Sequence, residues 1–145
     1  MENPSWLFAL ASIIAVVGIV IVFKSFIGRL QAKGEEAEEI DLQREFAPFL
    51  LRVSLVEVVP LVLIAVGTMQ IFDGTGSDII FPLVLILGAL LFGCINIFLT
   101  RQEVINNPRI SEKGKMLLNL FCMVAIAFVT AIPLISVIII LTMQL

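Results

Sequence analysis

Residues 79–99 read IIFPLVLILGALLFGCINIFL, an uncharged run in which Asn96 is the one amide side chain. About 20 apolar residues at 1.5 Å rise per residue cross the roughly 30 Å of hydrocarbon in a bilayer. The run is continuously apolar rather than alternating, and it is too long for a barrel strand. It therefore reads as a transmembrane helix, the element that satisfies its own backbone in lipid. Three further runs of this kind occupy residues 6–27, 46–72 and 116–143. The expected fold class is an all-α membrane protein, with four transmembrane helices arranged as two tandem helical hairpins. The first hairpin takes residues 1–73 and the second residues 74–145. Between them, Asp73, Gly74, Thr75, Gly76, Ser77 and Asp78 make a turn marked by two glycines.

The bulk composition agrees. Of 145 residues, 60% are hydrophobic and 14% charged. A soluble domain has about 45–50% apolar and about 25% charged residues, so lipid is the solvent for much of this surface. The chain has no His and no Tyr, which excludes histidine-ligated metal sites and Ser-His-Asp catalysis. Cys94 and Cys122 lie in apolar runs without a CxxC spacing and read as free thiols. No catalytic residue, metal site or cofactor is expected. A net charge of -3 gives no reason to expect nucleic-acid binding. The opening MENPSW lacks a basic stretch before the first apolar run, so that run is expected to stay as a helix.

The basic residues orient the spans. All nine lie in or beside the two long polar connections: Lys24, Arg29, Lys33, Arg44 and Arg52 at the first, Arg101, Arg109, Lys113 and Lys115 at the second. The positive-inside rule places both connections in the cytoplasm and both termini outside. The first connection also carries Glu35, Glu36, Glu38, Glu39 and Asp41. This acidic run reads either as a solvated helix extension or loop, or as a docking face for a basic cytoplasmic partner. Its charge tempers the nearby cations, so strong recruitment of anionic lipid by the loop is not expected.

The hairpins show weak internal similarity. SLVEVVPLV at 54–62 aligns with AFVTAIPLI at 127–135, and VGIVIVF at 17–23 with FGCINIF at 92–98. Such a duplication keeps orientation, unlike the inverted repeats of many transporters. Glu57 is the informative residue, because it lies well inside the second span among valines and leucines. A charge at the bilayer centre costs about 2.5–3.5 kcal/mol on insertion scales. A carboxyl that is neutral in hydrocarbon and ionised elsewhere is what proton carriage needs. The competing reading is a protonated acid used as interhelical packing glue.

The neighbours of Glu57 fit either reading. Ser54 is three residues earlier, on the same face of a helix. Pro60 is three residues later and deprives the Val56 carbonyl of its helical donor. Arg52, about 140° away, is expected to snorkel to the interface. Thr130 holds the place of Glu57 in the second hairpin and cannot ionise; its plain role is a bond to its own helix. Asn96 reads as interhelical glue or as a hydrogen-bond partner of Glu57.

At Leu55-Val56-Glu57-Val58-Val59-Pro60-Leu61 the sequence resembles the c subunit, or proteolipid, of rotary F- and V-type ATPases. In that family the second helix of a hairpin carries the ion-binding carboxylate in a similar setting. The double hairpin resembles the fused V-type form. Three features depart from the pattern: Gly18 stands alone in the first span, the loop signature is missing, and the acid is in the second helix rather than the last. The resemblance implies a proteolipid-like membrane subunit of an oligomeric complex, with Glu57 as the proton-carrying residue. Together with the neighbours read above, Glu57 and Ser54 are the expected ion-binding residues, with Pro60, Asn96 and Thr130 as expected support. The resemblance also implies that the chain is not catalytic alone but could serve a proton-translocating ATPase. Expected partners are the lipid bilayer and further copies or other membrane subunits. The alternative is a non-catalytic scaffold or assembly subunit whose acidic run docks a partner. A small-solute transporter would have little here to coordinate its cargo.

Overall fold

A computed structural model describes residues 4–33, 39–72, 78–106, 108 and 112–142, with the side chains of 30–33, 39–43, 45 and 113 outside the description. Four α-helices account for nearly all of these residues: α1 (Ser5–Lys33), α2 (Glu39–Ile71), α3 (Ile80–Ile105) and α4 (Glu112–Thr142). Each contains a segment long and apolar enough to cross a membrane, namely Ser5–Arg29, Phe46–Ile71, Ile80–Ile105 and Gly114–Thr142. The chain is thus an all-α, multi-pass membrane protein.

The helices run past the apolar segments. Much of what the sequence marks as polar connection is helical, with α1 continuing to Lys33 and α2 already formed at Glu39. The physical reason is propensity: Gln, Arg, Lys and Glu are good helix formers, and the helix has no cause to stop where hydrocarbon does. Local chemistry sets some of the ends. The Leu7 N–H donates to the Pro4 carbonyl at 3.0 Å, and the Ile80 N–H donates to the Asp78 carboxylate at 3.2 Å. Pro82 falls in the first turn of α3, where a missing N–H costs nothing.

α1 is the hub, touching all three other helices; α4 also touches α2 and α3, while α2 and α3 do not meet. In cross-section the order is α2, α1, α3, α4 around a rhombus, with α1 and α4 across its short diagonal. Half of the α1 span is buried, against 17% for α3. Two apolar layers fill the interior. One contains Ile19, Phe23, Phe49, Val53, Ile97 and Phe121. The other contains Phe8, Ala15, Ile64, Ile86, Ile132 and Ile140. All four helices contribute to each, so the two hairpins share one core. Many large side chains face outward, such as Ile21, Leu51 and Met69, as expected where lipid is the surrounding solvent.

Glycine sets the closest approaches. The space a Cβ would take at Gly18 is filled by Val56, and at Gly93 it is filled by Val129 and Val16. Gly18 aligns with Gly93 and Val56 with Val129 in the internal similarity. The same glycine–valine contact therefore recurs within each hairpin. A buried polar pair also joins α1 to α4: the Ser12 hydroxyl donates to the Phe8 carbonyl at 2.9 Å and lies 3.2 Å from the Ser136 hydroxyl.

Candidate functional site

Among the described side chains of α2, Phe49, Val53, Glu57, Pro60, Ile64 and Gly67 are the buried ones. Their spacing of three, four and seven is the inward stripe of a 3.6-residue helix. Glu57 is on that stripe, near the middle of its span, and is 9% exposed. Val53 belongs to one apolar layer and Ile64 to the other. Glu57 and Pro60 occupy the stripe between them, so on α2 the carboxyl sits where the layers meet. The adjoining Val56 packs into the notch at Gly18, which holds this part of α2 against α1.

The Glu57 Oε1 is buried and has no hydrogen-bond partner among the described residues. An unsatisfied buried acceptor costs about 1–3 kcal/mol. Among the described residues, no group of three or more His, Cys, Asp or Glu could hold a metal ion.

The residues expected around Glu57 divide. Pro60 is buried on the same stripe, one turn on. Ser54 is exposed and faces outward, so the helix does not bring it into the buried stripe with Glu57. Asn96 is engaged elsewhere: its Oδ1 accepts from the Lys24 ammonium at 3.2 Å, and its Nδ2 donates to the Phe92 carbonyl at 2.8 Å. It joins α1 to α3, and α3 makes no contact with α2. Thr130 is half-buried and donates to the Ile126 carbonyl at 2.7 Å, within its own helix. Of the acidic run, Glu35, Glu36 and Glu38 lie outside the described residues, as do the side chains of Glu39 and Asp41.

The serine pair Ser12–Ser136 escaped the sequence reading. Its signal was available, since a small hydroxyl in an apolar span commonly marks a helix contact. No family profile, curated protein or solved structure matches this chain.

Proposed function

We propose that the chain is a proteolipid-like membrane subunit that binds a proton at Glu57 and works within an oligomeric ion-translocating complex. The observation that carries this reading is the buried Oε1, left without a partner where the two core layers meet on α2. Intramembrane acids are functional by default and face the bundle interior, as Glu57 does. The recurring Gly18–Val56 and Gly93–Val129 contacts support a duplicated hairpin, with Thr130 as the silent counterpart of Glu57. The test is carbodiimide labelling followed by peptide mapping, together with a mass measurement of the purified assembly. Labelling confined to Glu57 in a homomeric or multi-subunit complex is the expected result. A monomer that labels no faster at Glu57 than at Glu103 or Glu112 would refute the reading.

Two further outcomes follow. The long connections are proposed to be cytoplasmic and the termini external, from the clustering of basic residues. A cysteine at Gly76 should react with an impermeant maleimide added outside, and one at Ala37 should not; the reverse pattern would invert the topology. Thr130→Val should leave proton-linked function essentially unchanged, because its hydroxyl is spent on Ile126. Its expected cost is within about 1 kcal/mol, the net worth of one such bond. Loss as complete as that of a Glu57 variant would disprove the asymmetry of the hairpins.

A further inference from the structure

Two guanidinium groups converge on one ring. The Arg29 Cζ lies 5.2 Å from the centroid of Phe26, and the Arg52 Cζ lies 5.4 Å from it. The convergence follows from helix geometry. Side chains lean toward the N-terminus of their own helix. In antiparallel α1 and α2 they therefore lean in opposite directions along the membrane normal. Arg29 follows Phe26 by three residues, and Arg52 follows Phe49 by three. Phe26 and Phe49 pack edge to face at 5.3 Å. Arg29 leans back over Phe26 and Arg52 leans out to meet it. The platform is rigid, because Phe49 packs in turn on Phe121 at 4.9 Å, tying α1, α2 and α4 together.

Both arginines are exposed. Two like charges share one aromatic platform, and a bound anion would offset their mutual repulsion. We propose that Arg29 and Arg52 form a clamp for the phosphate of an anionic phospholipid. Guanidinium forks match phosphate geometry, and cations between transmembrane helices are suited to anionic headgroups. The position favours lipid over a soluble anion. Arg29 closes one apolar span, and Arg52 is six residues inside another that starts at Phe46. Below Arg52, at helical spacing on the same side of α2, Leu55, Val59 and Val62 are all exposed, a track for the acyl chain of the same lipid. In the sequence, Glu35, Glu36, Glu38, Glu39 and Asp41 fall outside both apolar spans.

The test is lipid retention by the full chain in native mass spectrometry, with phosphatidylglycerol competed against phosphatidylcholine. The wild type should retain phosphatidylglycerol about ten-fold or more over phosphatidylcholine, as expected for charge-assisted bonds. The Arg29→Gln/Arg52→Gln double variant should lose that preference, while Lys24→Gln, on the α3 side of α1, should keep it. Phe26→Leu, which retains both charges but removes the platform, should fall between and covers the case in which the double variant misfolds. Equal retention by wild type and both clamp variants would show that the arginines only snorkel. Displacement of bound lipid by millimolar glycerol phosphate would show that the site takes a soluble anion, and either result overturns the proposal.

Discussion

Replacing Glu57 by glutamine is expected to abolish carbodiimide labelling at position 57, together with any proton movement that depends on this chain, while the bundle stays folded. The amide keeps the shape and hydrogen-bonding capacity of the neutral acid but has no acidic proton to give up or to react. Exposed Glu103 and Glu112 provide the reference within the same digest, since acids in water react slowly. Glu57→Leu separates stability from function. It would complete the apolar stripe between Val53 and Ile64 and remove an unpartnered oxygen, so the variant should gain about 1–3 kcal/mol while losing activity. A scaffold behaves otherwise. There, glutamine would be silent and deletion of residues 35–41 would be the damaging change; that pair of results would remove proton carriage from consideration.

The second large effect is expected at Gly93. A Cβ there would come within 2.6 Å of a Val16 methyl and 2.9 Å of a Val129 methyl. Both valines are fully buried, and β-branched side chains have little χ1 freedom in a helix. Neither can step aside, so the shift falls on the backbones of α1, α3 and α4. Gly93→Ala should cost about 1–3 kcal/mol through overpacking, and Gly93→Leu should detach α3 from the bundle. Gly88 lies on the same helix with nothing within 4 Å of its added Cβ. Gly88→Ala should therefore be neutral or stabilising by up to about 1 kcal/mol, the helix propensity difference. Midpoints in a denaturing-detergent titration check both. If the Gly93 and Gly88 variants behave alike, the close approach is not a real constraint. Recovery of Gly93→Ala by Val16→Ala would show directly which atoms collide.

The spans were legible because hydrocarbon selects for length and apolarity, and both are properties of a single helix. How the spans pack was not legible, for the same reason. Val53 faces the core and Leu55 faces outward, yet both are aliphatic; in lipid the inward and outward faces of a helix have nearly the same composition. The depth of Glu57 could be counted along the chain, but its surroundings could not. Ser54 is close in sequence and points away, while Asn96 is taken by Lys24 from another helix. The arginine pair needed the register of α1 against α2, which the Phe26–Phe49 contact fixes. The aligned glycines were visible in the sequence, but their valine partners became apparent only once the helices were placed together.

The hydroxyls on these helices bear on biosynthesis. Ser12, Thr68, Thr100, Thr130 and Thr142 each donate to the carbonyl four residues earlier. Each is satisfied by its own helix before any neighbour arrives. During synthesis α1 leaves the ribosome ahead of the three helices it will contact, and it must wait in the bilayer for α4, the last. It can do so because the Ser12 hydroxyl already has the Phe8 carbonyl, with Ser136 added only when α4 docks. Insertion and assembly are therefore separable, and a helix delayed at the translocon leaves none of these hydroxyls stranded in lipid.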